Sequence, residues 1–380
     1  MWKTSVVMAM AIPLVTATLA DFALQTVLDN ATPIFGSCKK STGEKSEWMK
    51  NYPDETLLVH MNIPGTHDSA TWNYTQTTQD TMRGITNLNQ VNVPVQQALR
   101  CQELPFVDML DMGIRAFDLR YAFDPTNSTL VFYHAQALLS QTATVNDVLF
   151  GFYQWLDDHP SETIFLSFQY QGSTGLYASN NAAVQLQLYN ILTSPVARHY
   201  FMQTKDELGT LGDSRGKITL MRRFDLDKLL GSYTAALPGL HFSPSLWTDN
   251  GADITLIYNK AKSLSAYIED YYQPLTPTGS SAIENIKWKY NATVKNIHKA
   301  ITRHPDSLFW TWASSNNIAN DPPDWPRIMA LGNGTCYTPA GGINQQLVHL
   351  LKRQRGKRVG IVMFDFFSQP SDLIDTFLEL

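Results

Sequence analysis

Residues 57–69 read LLVHMNIPGTHDS, and this stretch introduces both the fold and its chemistry. The apolar run 57–63 predicts a β-strand, and Pro64 and Gly65 predict a tight turn directly after it. That turn presents His67, whose imidazole titrates near neutral pH and can take up or release a proton. In the alternative interpretation, Asp68 caps a helix and His67 is merely exposed. The stretch alone does not decide between the two.

Short runs rich in β-branched and aromatic residues recur along the chain and alternate with helical patterns. Further strands are predicted over residues 114–121, 130–133, 163–170, 217–222, 253–258, 307–313 and 358–366. Helices are predicted over residues 145–158, 182–200, 283–303 and 343–354, and Pro195 divides or kinks the second of them. This alternation is typical of βαβ units around a parallel sheet.

Polar residues follow the predicted strand ends, and their distribution bears on the fold class. They are His67, Arg120, His134, Arg222, Arg223 and Asp365. The strand ends of a barrel converge on one rim from all sides, whereas an open doubly wound sheet would spread the same residues along a line. No G-x-G-x-x-G follows the first strand, which argues against a dinucleotide site. We therefore predict an α/β fold, a single (β/α) barrel of the TIM type that need not be regular.

Composition and the N-terminal segment indicate an exported protein. The chain has 380 residues and a net charge of −5, without a basic cluster, so we expect no nucleic-acid partner. Lys3, the apolar run 6–15 and a small-residue site before Asp21 predict a signal peptide over residues 1–20, with a short membrane anchor as the alternative. Residues 21–52 then form a lead-in, and residues 53–380 form the barrel domain of a secreted protein.

Sequons and cysteines agree with export. N-x-[ST] sequons occur at Asn30, Asn73, Asn127, Asn291 and Asn333. The three cysteines, Cys38, Cys101 and Cys336, allow one disulfide with one free thiol, and their spacing does not say which two would pair. Three reduced, buried thiols are the alternative. The spacing fits no zinc motif.

Two further segments carry ionisable residues into the predicted sheet. In the run 113–120, Asp118 and Arg120 share one face of a strand, where they either bind charge or form a structural ion pair. Arg115 lies near the strand start, and we expect it to be structural. In the run 130–134, an apolar strand ends at His134, a candidate partner for His67 across the barrel mouth.

Five collinear motifs resemble the phosphatidylinositol-specific phospholipase C X-domain family, in its bacterial and secreted fungal form. They are IPGTHDS (63–69), GIRAFDLR (113–120), DDHPSETIFLSF (157–168), GKITLMRRF (216–224) and RVGIVMFDFF (358–367). The resemblance runs from about residue 57 to residue 378. It implies a barrel phosphodiesterase that acts on inositol phospholipid or on glycosyl-inositol anchors.

The resemblance also implies roles for individual residues. His67 is similar to the general base that deprotonates the inositol 2-hydroxyl, and Asp365 to the carboxylate that orients it. His134 is similar to the general acid, with Asp68 as its carboxylate partner. Arg120 resembles the phosphate-binding arginine of the calcium-independent branch, so we expect no metal and no cofactor. For substrate binding it implies Arg223, Gln169 and Tyr258.

The sequence departs from the family pattern mainly in the residues that bind the head group. Gln169 replaces a lysine, Ala135 replaces the glycine after His134, and Ile257 stands where an acidic neighbour of Tyr258 is expected. Phosphodiester cleavage is thus better supported than the choice of head group. A secreted binding module that has lost turnover and a metal-dependent glycerophosphodiester phosphodiesterase are the alternatives, although the latter needs an acidic cluster beyond Asp68. Transient contact with a membrane surface follows from the lipid substrate.

Overall fold

The computed structural model of the chain describes residues 18–37, 43–86, 93–172 and 179–380. The strands of these residues are β1 (Ile63–Thr66), β2 (Ala116–Phe123), β3 (Leu130–His134), β4 (Ala137–Leu138), β5 (Thr163–Tyr170), β6 (Lys217–Arg223), β7 (Leu240–His241), β8 (Ile254–Asn259), β9 (Leu264–Glu269), β10 (Leu308–Trp312) and β11 (Ile361–Phe364). The predicted signal peptide lies almost entirely outside them.

The helices of the described residues surround this sheet. They are α1 (Leu19–Phe35), α2 (Gln76–Thr86), α3 (Gln96–Leu99), α4 (Phe106–Asp111), α5 (Val145–Asp158), α6 (Ala182–Leu192), α7 (Pro195–Tyr200), α8 (Leu211–Ser214), α9 (Gly231–Ala236), α10 (Ala282–Thr302), α11 (Pro326–Leu331), α12 (Ile343–Leu351) and α13 (Leu373–Leu378). None of them is long and apolar enough to cross a membrane.

The sheet is a nearly closed barrel, which confirms the predicted fold class. Its strand order is β7-β6-β5-β2-β1-β11-β10-β9-β8. Every neighbouring pair from β7 to β9 is parallel, so the first strand is paired on both sides by parallel partners, as in a barrel. Within this strand order only β8 runs antiparallel, against β9, and β7 and β8 do not pair with each other. The barrel therefore has one seam, between β7 and β8.

Eight strands were predicted and eight parallel strands are present, but the two sets differ. The predicted strands 130–133 and 253–258 exist as β3 and β8, and both are antiparallel to their partners. The barrel strands β7 and β9 were not predicted. The predicted strand 57–63 is wrong except at its last residue, because residues 58–60 form a turn of 3-10 helix and β1 covers Ile63–Thr66. Pro64 and Gly65, for which a tight turn was expected, therefore lie within the strand.

Alternation along the strands divides the core into an interior and an outer layer. Met221, Trp310, Trp312 and Met363 pack together inside the barrel. The outward-facing residues of the same strands, such as Leu220, pack against the helices in a second cluster. The interior is filled by side chains rather than open, so ligands have access only at the strand ends.

Gly65 shows how tightly β1 fits between its neighbours. A Cβ at this position would lie 2.5 Å from Met363 Sδ and 2.8 Å from Ala116 Cβ. No other residue would fit without moving one of the two adjacent strands. The glycine of the IPGTHDS motif thus fixes the place from which His67 enters the barrel mouth.

Arg115 is structural, as expected from its position at the strand start. Its guanidinium lies 2.6 Å from the Glu162 carboxylate, and both side chains are completely buried. It also lies between Trp48 and Trp155, 5.8 and 4.8 Å from the ring centroids. This pair is at the amino-terminal side of the strands, opposite the strand ends that carry His67 and His134. It joins the lead-in segment around Trp48 to the barrel.

The helical predictions are largely confirmed. Helix α5 has the predicted bounds and begins with a capping box between Thr144 and Asp147. Pro195 divides the predicted helix 182–200 into α6 and α7 and opens the latter. Cys101 is buried and Cys336 exposed, and neither forms a disulfide within the described residues. The pairings that involve Cys38 lie outside them.

Candidate active site

A cavity of about 420 Å³ opens at the carboxyl ends of the parallel strands. Its wall is formed by His67, Arg120, His134, Gln169, Gln171, Arg223, Phe242, Pro244, Trp247, Asp249, Asp270, Tyr272, Ser315 and Asn316. These residues come from opposite sides of the barrel, as the prediction of converging strand ends requires. Two further predicted site residues, Asp68 and Asp365, do not line the cavity but contact the histidines of its wall.

His67 is held by a carboxylate from the neighbouring strand. It follows β1 directly, and its Nδ1 lies 2.8 Å from Asp365 Oδ1, which follows β11. The other oxygen of Asp365 accepts a hydrogen bond from the Ser315 backbone N–H at 3.3 Å. Asp365 is buried, so the contact fixes both the orientation of the ring and the nitrogen that carries the proton.

Asp68 lies between the two histidines because its backbone turns sharply after β1. Its φ of 41° and ψ of 54° are left-handed, a conformation that aspartate adopts more readily than most residues. Its Oδ2 lies 3.3 Å from His67 Nε2 and 3.1 Å from His134 Nε2. Its Oδ1 lies 3.0 Å from Arg120 Nε. One buried carboxylate thus contacts three cationic or titratable groups.

His134 reaches the same place from the hairpin of β3 and β4. Its Nδ1–H donates a hydrogen bond to the Leu99 carbonyl oxygen at 2.6 Å. The other ring nitrogen, Nε2, therefore faces the cavity. The next residue, Ala135, has a φ of 49°, in the region that glycine adopts most easily. The departure from glycine noted in the sequence therefore falls on a left-handed position. The two histidine rings stand nearly perpendicular, with centroids 6.3 Å apart.

Arg120 supplies the fixed positive charge of the site. Its Nη2 lies 2.9 Å from Asp118 Oδ2, and its Nη1 donates to Gln171 Oε1 at 3.2 Å. Asp118 also accepts the backbone N–H of Asp68 at 3.1 Å, so it ties β2 to the turn after β1. The predicted shared face of Asp118 and Arg120 is confirmed, and the two do form an ion pair. Arg120 nevertheless lines the cavity.

Burial and charge shift the two histidines in opposite directions. Burial opposes protonation of His67, but the Asp365 and Asp68 carboxylates more than offset it and raise the pKa of His67. Burial, helped by the charges of Arg120 and His67, lowers the pKa of His134 despite Asp68. Burial likewise opposes the charge on Arg120, yet Asp118 and Asp68 raise its pKa above the usual value. In the free protein His67 therefore holds a proton more readily than His134 does.

A further part of the cavity wall is built around Arg223. Its guanidinium stacks on Trp247 at 3.8 Å and on Trp312 at 4.9 Å from the ring centroids. It also lies 3.2 Å from Asp270 Oδ2, an oxygen that accepts a hydrogen bond from Trp247 Nε1 at 2.8 Å. These contacts hold a charged, planar group at a defined place next to the histidines. Such a wall suits a ligand rich in hydroxyl groups.

The structure separates the three predicted substrate-binding residues. Gln169 is beside both arginines in the sheet, since its register partners are Arg120 and Arg223, and it lines the cavity. Tyr258 does not line it. It packs on Phe242 and borders a different cavity at the seam of the barrel. The prediction that Tyr258 lies in the head-group site is therefore wrong.

An acidic residue and a tyrosine do line the cavity, but they are Asp270 and Tyr272 rather than residues 257 and 258. The sequence has Asp-Tyr-Tyr at residues 270–272, directly after the mixed segment LSAYIE that forms β9. These residues were missed because β9 was not predicted and β8 was taken for the barrel strand.

Three groups of side chains have metal-ligating atoms close together within the described residues. They are His67, Cys101 and Asp365; Asp68, Cys101 and His134; and His67, Asp68 and Asp118. Asp68 and Asp118 are also the carboxylates that pair with the Arg120 guanidinium. A divalent cation at the third group would face this fixed positive charge at short distance, which disfavours it. The absence of a metal stays a prediction.

The fold and the cavity define a (β/α)-barrel protein with a paired-histidine site. The family model described as phosphatidylinositol-specific phospholipase C, X domain, matches residues 61–224. This segment holds β1 to β6 and therefore His67, His134, Arg120 and Arg223. The resemblance inferred from the motifs is therefore confirmed over residues 61–224.

Curated relatives extend the similarity beyond the matched segment. The 1-phosphatidylinositol phosphodiesterase of Staphylococcus aureus (strain Newman) is 22% identical over 323 residues, 84% of this chain and 87% of the relative. That of Listeria monocytogenes is 27% identical over 332 residues, 86% of this chain and 83% of the relative. The similarity therefore continues past β6 into the strands that follow it.

Solved structures show the same fold. A mutant of the phosphatidylinositol-specific phospholipase C from S. aureus covers 88% of this chain, with 97% of its own length matched, a TM-score of 0.65 and 20% identity. The enzyme from L. monocytogenes matches over 88% of this chain and 97% of its own length, with a TM-score of 0.59 and 21% identity. The predicted barrel is thus found in proteins of this family.

Proposed function

We propose that the chain cleaves the phosphodiester bond of an inositol phospholipid by attack of the inositol 2-hydroxyl on the phosphorus, with a cyclic phosphate as the first product. The observation that carries the proposal is the pair of partly buried, carboxylate-linked histidines beside the guanidinium of Arg120. The relatives named 1-phosphatidylinositol phosphodiesterase support the same reaction.

The two histidines serve as base and acid. His67 takes the proton of the 2-hydroxyl, and Asp365 stabilises the imidazolium that forms. His134 donates a proton to the leaving alkoxide through Nε2, since its Nδ1–H is bonded to the Leu99 carbonyl. Arg120 stabilises the charge that develops on the non-bridging oxygens. No proton is consumed overall, because His67 takes one from the 2-hydroxyl while His134 gives one to the leaving alkoxide.

Substrate binding has to reverse the protonation of the free site. In the free protein the pKa of His67 is raised and that of His134 lowered. A bound phosphodiester brings a negative charge to Arg120 and His134, and this charge favours the proton on His134. The substrate therefore helps to create the ionisation state that cleaves it.

The inositol ring is proposed to lie against the wall of Arg223, Asp270, Tyr272 and Gln169. These side chains offer charged and neutral hydrogen-bonding groups at one end of the cavity. We extend the proposal to glycosyl-inositol phosphodiesters, which share this ring and the phosphate. The proposal includes secretion and transient contact with a membrane surface, supported by the N-terminal apolar segment and by the lipid substrate.

The metal-dependent glycerophosphodiester reaction is a weaker candidate. It needs carboxylates that are free to hold a cation, whereas Asp68 and Asp118 are committed to Arg120 in the described residues. A module without turnover is disfavoured by the intact contacts of both histidines.

The proposal is tested by following phosphorus products with NMR. The full chain is offered phosphatidylinositol, a glycosyl-inositol anchor and glycerophosphoinositol, with and without a chelator. We expect a cyclic phosphate from the inositol lipid, and its loss in His67→Ala and in His134→Ala. His241→Ala is the matched control, because this histidine lies outside the cavity and pairs with Asp225. Binding of the lipid without any product would refute the proposal.

A further inference from the structure

A second cavity lies at the seam of the barrel, between β7 and β8. Its volume is about 600 Å³, within the range of small-molecule sites. It shares no lining residue with the cavity of His67 and His134. Arg222 and His241, register partners on β6 and β7, both border it. We call it the seam cavity.

Arg222 belongs to the outer face of the sheet, away from the proposed active site. Along β6, Met221 packs in the barrel interior and Arg223 lines the active-site cavity, whereas Leu220 and Phe224 pack in the outer layer. Side chains alternate along a strand, so Arg222 shares the outer face. The two adjacent arginines therefore serve two different cavities.

The Arg222 guanidinium is buried with most of its donors unused. The residue is 4% exposed, and its Nε has no hydrogen-bond partner among the described residues. Nη1 donates to the Thr234 carbonyl at 3.4 Å, a long contact. Nη2 lies 3.8 Å from Asp206 Oδ1, beyond hydrogen-bond distance. A buried cation with five donors is costly unless an anion or several acceptors satisfy it.

The other charges of the seam cavity are mixed, with two lysines among them. Lys205 and Lys260 line it, and Lys205 Nζ donates to the Ala235 carbonyl. Of the nearby carboxylates, Asp206 faces Arg222, and Asp225 is occupied by His241 Nε2 and by Ser243 Oγ, both at 2.8 Å. Both carboxylate oxygens of Asp225 thus already have hydrogen-bond partners. The donors of Arg222 remain available to a ligand.

We propose that the seam cavity binds a tetrahedral oxyanion of the phosphate type through Arg222. A phosphate offers several acceptor oxygens, and the guanidinium fork can engage two of them at once. The exposed Leu246 and Ile257 at the edge of the cavity would be compatible with a phosphate that is part of a lipid head group. Free inorganic phosphate offers the same chemistry. The proposal does not rest on the proposed function, because it needs no turnover.

The binding test compares two variants that each remove one positive charge. Arg222→Met fills the same space, and we expect it to fold, because the guanidinium has no short partner to lose. Lys262→Met is the matched control, since this exposed lysine pairs with Glu207 near the cavity but does not line it. Calorimetric titration with inorganic phosphate, at constant ionic strength set with chloride, counts the sites per chain.

We expect Arg222→Met to bind one phosphate fewer per chain than the unsubstituted protein, or to bind it at least tenfold more weakly. Loss of one charge-assisted hydrogen bond lowers an affinity by roughly this factor. Lys262→Met should bind normally. Phosphate that enters the active-site cavity is detected separately as competitive inhibition of cleavage, and this inhibition should persist in Arg222→Met. An equal number of sites and equal affinity in both variants would overturn the proposal.

The source of the anion is distinguished with vesicles. Phosphatidylcholine vesicles with and without phosphatidic acid are sedimented with each variant. If Arg222→Met alone loses the gain from phosphatidic acid, the site takes a lipid phosphate. If both variants bind vesicles equally while calorimetry shows the loss, the site takes the free anion. Should Arg222→Met fail to fold, Arg222→Lys provides the comparison, because a lysine keeps the charge but loses the two-pronged contact.

Discussion

Replacing Asp365 by asparagine tests how the proposed base is held. Asp365 Oδ1 lies 2.8 Å from His67 Nδ1, and Oδ2 accepts the Ser315 N–H at 3.3 Å. An asparagine cannot satisfy both neighbours, because only one of its two polar atoms is an acceptor. If its oxygen faces Ser315, its NH₂ group meets His67 Nδ1 and forces the proton onto Nε2. In that tautomer His67 cannot accept the proton of the attacking hydroxyl.

The expected loss of activity has two parts. Loss of a charge-assisted hydrogen bond to the imidazolium costs about 1.5–3 kcal/mol, or roughly 10- to 150-fold in rate. The wrong tautomer removes the base from most molecules, and comparable substitutions in histidine–aspartate pairs cost about 10⁴-fold in kcat. We therefore expect Asp365→Asn to lower kcat/KM by about 10³- to 10⁴-fold.

The pH dependence of kcat/KM gives a second, independent readout. This constant reports the ionisations of the free enzyme. Because the pKa of His67 is raised and that of His134 lowered, His67 is the last of the pair to lose its proton, and it dominates the descending limb. Asp365→Asn removes a carboxylate that raises the pKa of His67. The descending limb should therefore move to lower pH.

Asp270→Asn is the matched control for this experiment. Asp270 is another carboxylate of the same cavity, but it contacts Arg223 and Trp247 rather than the histidines. We expect a higher KM and an unmoved descending limb. If Asp365→Asn retained more than about a tenth of kcat/KM with an unchanged pH profile, the assignment of His67 as a base held by Asp365 would be refuted.

Three further predictions concern the metal, the core and the head-group wall. Excess EDTA should leave cleavage unchanged, since Arg120 already supplies a positive charge 3.0 Å from Asp68; a loss reversed by Ca²⁺ would contradict this. Lys289 and Glu269 form a completely buried ion pair of 2.6 Å, so Lys289→Met leaves the Glu269 carboxylate without its cation. Urea unfolding should show that the free energy of unfolding falls by about 3–5 kcal/mol, and that the double variant Lys289→Met/Glu269→Gln recovers most of it. Arg223→Lys should raise KM more than it lowers kcat, because a lysine cannot stack between Trp247 and Trp312. Steady-state kinetics in which the variant and the unsubstituted protein have the same KM would contradict this.

The barrel could be predicted from the sequence because most of its strands are apolar runs of ordinary length. Strand β5 matches the predicted bounds at both ends, and β6 differs by one residue. Strand β7 has only two residues, too few for any periodic signal. Strand β9 follows β8 closely in a hairpin, and local pattern does not show which strand of a hairpin joins the barrel. That choice depends on pairing between distant segments.

The site was predictable to the extent that its residues end strands with a clear pattern. His67, Arg120 and Asp365 all do so, and the cavity brings them together with His134. His134 was placed correctly although its strand is not part of the parallel barrel, because the hairpin of β3 and β4 folds over the same rim. Asp270 was missed together with β9. The contact of Asp68 with both histidines could not be predicted, because it depends on a left-handed backbone at that residue.

The position of Asp68 explains why two histidines can share one catalytic proton. Its Oδ2 is buried, accepts no regular hydrogen bond within the described residues, and lies 3.3 and 3.1 Å from the Nε2 atoms of His67 and His134. A buried carboxylate oxygen in that position is stable only if at least one of the two nitrogens carries a proton. A second proton is disfavoured, because the two imidazolium ions would then repel each other and Arg120. The site thus favours a single proton on the pair. A mechanism with one acid and one base requires one proton on the two histidines. The negative charge of the substrate phosphate then favours this proton on His134.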